Sequence, residues 1–350
     1  MEAKMKEWMK TYQIFIALLI LLFIVMVGAS VMGAASIKVI DSARIILNQI
    51  PILGRWVTLD GISEAHIRII TSIRLPRMFL TLLVGFGLSV VGVAFQGMLK
   101  NPMADPFIIG TSSGAALGAA IAILFKFNRV ILGLSMTSIF AFIGALAATL
   151  IVYQLAKVKE KVPVTTLLLA GIATGQFFSA ILSFIMVLST NDVATIVYWT
   201  MGSFSSRGWN HVQIVFIPIL LGSAVIYILA KDLNLLLLGE DTAHNTGVDV
   251  EKVKGIVLVV GAFITAFAVS VSGIIGFVGL IIPHITRMIV GPDHRVLIPA
   301  SGLIGGIFLI MADTFARTII SPTEIPVGII TALVGGPFFI YLLRRTKRMA

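Results

Sequence analysis

Ser72–Gly118 reads SIRLPRMFLTLLVGFGLSVVGVAFQGMLKNPMADPFIIGTSSGAALG. Arg74 and Arg77 flank Pro76, an uncharged apolar run follows, and Lys100 closes it. Such a run matches the roughly twenty residues needed to cross a bilayer as a helix. Pro102 and Pro106 then bracket Asp105, the composition of a rigid turn, before a second apolar run begins. Two antiparallel membrane helices joined by a short turn are the simplest reading. The arginines are its difficulty, because a cation at a helix start faces the positive end of the backbone dipole.

The rest of the chain extends this pattern. Its 350 residues are 58% hydrophobic and 12% charged, with mean hydropathy +1.05, a composition that excludes an ordinary soluble domain. The expected fold is all-α: a polytopic membrane protein with spans at about 14–34, 76–98, 106–125, 131–155, 164–188, 211–230, 254–272, 278–290, 297–316 and 326–343. The eighth is too short to cross alone, so the neighbouring SGIIGFVG is expected to enter the membrane with it. Residues 1–350 read as one transmembrane domain with a long internal loop over about 233–254.

Lys4, Lys6 and Lys10 precede the first apolar run, and GAAS after it has the look of a cleavage site. The run exceeds a signal-peptide core, so a retained first helix with an inner amino terminus is expected. An even number of spans then puts both termini inside, and most of the 26 basic residues fall on that face, Lys100, Lys231, Arg295 and Arg348 among them. The exceptions cluster outside: Lys38, Arg44, Arg55, Arg68, Arg74 and Arg77, with Arg207 and Arg317 further on. Arginines against the topological bias point to an acidic partner, a ligand or lipid headgroups. The net charge of +10 does not suggest nucleic acid, since the bases form no patch interleaved with aromatics.

Chemistry is scarce. With no cysteine, disulfides, thiolate metal sites and cysteine nucleophiles are excluded. GTSSG, Gly110–Gly114, matches a nucleophile elbow in letters but opens an apolar helix. No Gly-Lys pair exists for a phosphate-binding loop, so any ATP is bound by another subunit. The five histidines lack metal-ligand spacing; His284, with Arg287 three residues on, reads as a helix anchor or partner contact. Asp313 and Arg317, four apart, can pair on one helical face. Glycines at Gly110, Gly114 and Gly118, Gly85 with Ser89, and Gly302 with Gly306 read as close helix packing. In Leu233–Lys254, two helix-start signals on the inner face describe a docking surface.

Together RLPR, FQGMLKNPMADPFIIGTSSGAALG, LLLAG, LLLLGEDTAHNTGVDVEKVK, GIIGFVGLIIPHITRMIVGPDHR, DTFAR and EIPVGIITALVGGPFFIYLLRR resemble the permeases of type II ABC importers for iron-siderophores, haem and cobalamin, the FecCD family. The resemblance implies a homodimer of ten-helix subunits in a prokaryotic cytoplasmic membrane, two cytoplasmic ATPase subunits and an external substrate-binding protein. It implies that Arg74, Arg77 and Arg317 dock the binding protein. Gly239, Glu240, Asp241, Ala243 and Gly247 would seat the ATPase, and Thr165 and Thr166 would form the inner gate. No cofactor and no enzymatic activity of its own are expected. The alternative is an ion-gradient-coupled carrier, which usually places carboxylates near the midplane; here only Asp313 falls in a span, near its end. An intramembrane enzyme lacks a paired nucleophile and base.

Overall fold

The computed structural model describes residues 2–347 apart from 34, 128, 132, 160 and 190. Arg348 and the side chains of Lys4, Lys6, Lys10, Arg345 and Lys347, which the reading of two inner termini puts on the inner face, lie outside what it describes. The chain folds as α1 (Glu2–Val31), α2 (Val39–Asn48), α3 (Glu64–Arg68), α4 (Leu75–Met98), α5 (Thr111–Leu124), α6 (Met136–Ala156), α7 (Val164–Leu188), α8 (Val193–Thr200), α9 (Trp209–Ile228), α10 (Ala230–Leu237), α11 (Glu240–Asn245), α12 (Val250–Ser272), α13 (Val278–Val290), α14 (His294–Thr318) and α15 (Val327–Lys347). Among the described residues seven helices are long and apolar enough to cross a membrane, and three shorter apolar helices, α5, α13 and α15, complete the ten expected segments.

The centre of the bundle is α4, with 83% of its apolar window buried, whereas α7 has only 17% of its window covered. Around α4 stand α14, α9, α12 and α13; α5 and α6 pair beside them, α7 leans on that pair, and α1 packs along α14. Apolar side chains gain nothing by leaving lipid for another helix, so packing must come from fit. Small residues supply it. A side chain at Gly85 would strike the carbonyl of Gly305, one at Gly92 the carbonyl of Gly279, and one at Gly114 the carbonyl of Gly144. Gly302 and Gly306 likewise face Phe86 and Leu82 of α4.

Three segments differ from the sequence reading. The second span does not start at Pro76, because α3 runs through a π-helical turn, Ile69–Arg74, directly into α4. The wider turn accommodates a proline that lacks an N–H and whose ring would crowd a carbonyl one turn back. The third span starts later, at Thr111: Asp105 Oδ1 accepts the Phe107 N–H at 2.8 Å over a 3₁₀ turn, and Gly110, at φ +79°, breaks it from α5. Gly110 is therefore the N-cap of α5 and not part of the helical glycine row. Before α6 the chain forms a small antiparallel ribbon, β1 (Val130–Ile131) and β2 (Leu134–Ser135), and Ser135 caps α6 by accepting the Ser138 N–H at 3.2 Å.

Between α12 and α13, Gly273–Phe277 is not helical; Ile275 is buried, and the Ser272 carbonyl is satisfied by the Ser203 N–H at 2.7 Å. Irregular backbone of this kind is tolerated in a membrane only when protein surrounds it.

We expect Gly92→Val to destabilise the detergent-solubilised chain by about 1–3 kcal/mol or more through overpacking against α13. Gly255→Ala, at a helical position with open space around it, should be neutral or stabilising by up to about 1 kcal/mol. Thermal unfolding of the two variants side by side tests the contrast.

Candidate functional site

One end of the bundle gathers the arginines. Because α3, the π turn and α4 are continuous, Arg74 and Arg77 sit inside a helix, and the dipole objection disappears. Arg77 forms a fork on Asp313 of α14, Nε to Oδ2 at 2.8 Å and Nη2 to Oδ1 at 2.9 Å, while Nη1 reaches both oxygens of Glu324 at 2.9 and 3.1 Å. Bidentate pairs of this type are strong and orientation-specific. Asp313 therefore pairs with Arg77 across two helices and not with Arg317 on its own helix, correcting the i,i+4 pairing expected from spacing.

Arg74 and Arg317 turn to α1. Arg74, 5% exposed, donates to the carbonyls of Ser30, Val31 and Ala35, and Arg317 donates to the carbonyl of Ala29. Ala29, Ser30 and Val31 carry last-turn carbonyls that a helix leaves without partners, at the end where the dipole favours a cation, and Ala35 lies just beyond that end. No basic residue lies in the last turn of α1 itself. Gly33, at φ +140°, lies against both guanidinium groups, and a side chain there would be strained and would crowd Arg74. Sequence reasoning missed this capping role and also Glu324; neither leaves a local signal.

Other exposed-face bases are spread. Arg44 holds the α2–α3 connection through the Thr58 carbonyl and hydroxyl, and Arg68 stands exposed 3.9 Å from Glu64. Arg207 has no carboxylate within ion-pair range among the described residues; its Nη1 lies 3.1 Å from His211 Nε2, and burial lowers the guanidinium pKa from its ordinary value.

At the opposite end both expected helix starts of Leu233–Lys254 are realised. Gly239, at φ +122°, precedes α11, Gly247, at φ +91°, follows it, and Asp249 caps α12 by accepting the Lys252 N–H at 3.1 Å. Of the residues singled out, Ala243 is fully buried and anchors α11, Asp241 and Gly247 are exposed, and Glu240 turns inward to Lys254 at 2.7 Å. Leu238, 68% exposed, projects beside them. Thr165 and Thr166 form the first turn of α7 behind Pro163, Thr165 exposed and Thr166 half-buried. Leu169, Ile172, Phe177, Phe184 and Val187 leave a long apolar, uncharged face of α7 uncovered.

Arg287 donates to Gln96 Oε1 at 3.1 Å and Gln96 in turn to the Leu280 carbonyl at 3.0 Å, so Arg287 secures α13 to α4. In GTSSG the Ser113 hydroxyl bonds the Gly110 carbonyl at 3.0 Å, an ordinary helix-start contact. Among the described residues no group of three or more His, Asp or Glu could hold a metal ion.

Residues 16–345 match the model of the FecCD transport family. The chain belongs to the FecCD transport family. It is a multi-pass membrane permease and not itself a catalyst. The similar FecCD relatives include the cobalamin import system permease protein BtuC of Halobacterium salinarum, 47% identical over 284 residues, covering 81% of this chain and 75% of the relative. The hemin transport system permease protein HmuU of Yersinia pestis is 38% identical over 333 residues, covering 94% and 95%. A solved metal-chelate type ABC transporter in an inward-facing conformation superposes with TM-score 0.81 at 32% identity, covering 95% of this chain and 99% of that one.

Replacing Arg77 by Met strands the buried Asp313 carboxylate and its neighbour Glu324. We expect a loss of about 3–5 kcal/mol, the usual penalty for breaking one side of a buried pair. Arg77→Lys should fall between, since an ammonium cannot serve the fork; melting temperatures of the purified variants rank the three.

Proposed function

We propose that this chain is the membrane subunit of an ATP-driven importer carrying an iron chelate or a related macrocycle such as haem or cobalamin. It works in a prokaryotic cytoplasmic membrane with both termini inside. The observation that supports this reading is the joint presence, in a chain that matches the family over residues 16–345, of an exposed helix α11 and an uncharged, uncovered α7. Bulky cargo needs a wide path that releases more than it grips, so few charges should line it. A second copy of the chain completes that path by facing its own α7 across it, and two ATPase subunits seat against α11.

Exposure and burial around α11 support a division of roles. Asp241 and Gly247 face the ATPase, Ala243 holds the helix down, and Gly239 and Glu240 set its start. Thr165 and Thr166, at the inner end of α7, close the path. At the other end Arg74, Arg77 and Arg317 draw the substrate-binding protein. Three guanidinium groups against the carboxylates of Asp313 and Glu324 leave a positive excess at the mouth, so the cluster acts on acidic lobes largely through its field. Such steering raises encounter rate more than affinity and weakens with salt. The reading of an ion-coupled carrier loses support because Asp313, the carboxylate that the sequence reading places in a span, is spent on Arg77.

In proteoliposomes holding the permease, its ATPase and a loaded binding protein, uptake of a labelled ferric siderophore, haem or cobalamin should require internal ATP and survive a protonophore. Uptake driven by an ion gradient without ATPase would overturn the reading. Arg317→Glu should slow binding-protein association by about tenfold at low salt and much less at high salt, with ATPase assembly intact. Association kinetics at two ionic strengths measure this.

A further inference from the structure

Lys254 lies in the second turn of α12, beneath the exposed surface of α11, and is only 5% exposed. Its ammonium is held by Glu240 Oε1 of α11 at 2.7 Å and by Glu251 Oε1 at 3.3 Å. The second oxygen of Glu251 is also engaged: Oε2 accepts the backbone N–H of Val162 at 3.1 Å. Val162 is buried and immediately precedes Pro163, the N-cap of α7, so that amide lies three residues before Thr165. A continuous line of charge-assisted bonds thus runs from the first turn of α11 through one ammonium and one carboxylate to the backbone that starts α7.

Two features make this line mechanical. First, α11 is a six-residue body bracketed by Gly239 and Gly247, both at positive φ, so its ends are the compliant points and the Glu240 pair is what ties its first turn to α12. Second, the ammonium is withdrawn from water, and separating it from either carboxylate leaves a buried charge with one partner in place of two. Displacement of α11 is therefore resisted by Lys254 until α12 and the α7 start move with it.

We propose that Lys254 is a positioning residue that transmits movement of α11 to the inner end of α7. The inference rests on the reading of α11 as the ATPase seat and of Thr165 as part of the gate. It adds a residue that touches neither cargo nor partner.

The chain has no cysteine, so Thr165→Cys provides a single reporter. In vesicles containing the permease and its ATPase, the rate of labelling by a polar maleimide is compared without nucleotide and with ATP plus vanadate. With Lys254 in place we expect the two rates to differ by about fivefold or more, the lower range of ordinary site-to-site coupling. Lys254→Met should collapse the difference to less than about twofold while the ATPase still co-purifies. Lys254→Arg, which keeps the charge, should restore it, and Glu251→Gln, which keeps an acceptor for Val162 but loses the ion pair, should reduce it.

An undiminished nucleotide effect in Lys254→Met overturns the proposal. So does loss of the effect in both Lys254→Met and Lys254→Arg, or dissociation of the ATPase from Lys254→Met, which would make the residue a folding or docking element. Absence of any nucleotide effect with Lys254 in place instead removes the gate assignment on which the proposal rests.

Discussion

Everything in this bundle depends on how closely neighbouring backbones can approach α4. In hydrocarbon there is no solvent to squeeze helices together, so contact area and interhelical polar bonds must supply the association. At Gly85 and Gly92 the α4 backbone meets the backbones of α14 and α13 with no side chain between them. That proximity brings Arg77 within reach of Asp313 at one end and Gln96 within reach of the Arg287 side chain at the other. The polar contacts are consequences of the glycine seams and would be out of range if α4 stood one side chain further away.

The ten apolar segments were legible because membrane length and composition are properties of a window and survive errors of phase. The eighth span and the glycine-rich stretch before it were legible for the same reason: thirteen helical residues are too few to cross, and the backbone continues as a partly buried, non-helical link. The starts of α11 and α12 were readable from Gly239 and Asp249, whose chemistry is local. Boundaries went astray where a local device outweighed hydropathy, as at Gly110 and Ser135.

The partners of the arginines were not legible. Arg77 bonds residues 236 and 247 positions away, and Arg74 bonds carbonyls that carry no sequence signature at all. A motif can mark such residues as special without revealing what they touch. Asp313 illustrates the limit: i,i+4 spacing offers Arg317, but the guanidinium fork of Arg77 satisfies both carboxylate oxygens at once, and Arg317 is drawn to the end of α1.

The π-helical turn at Ile69–Arg74 has a further consequence. An α-helix rotates about 100° per residue, and a π turn carries one residue more than the α turn it replaces, so it offsets the azimuth of everything on one side by roughly that angle. The exposed face bearing Glu64 and Arg68 and the buried face bearing Arg77 and Gly85 therefore belong to one rod with two independent settings. A helix of uniform pitch would have to orient both faces by a single rotation; this one can aim its extramembrane part at an aqueous partner while its core keeps the glycine seam in register.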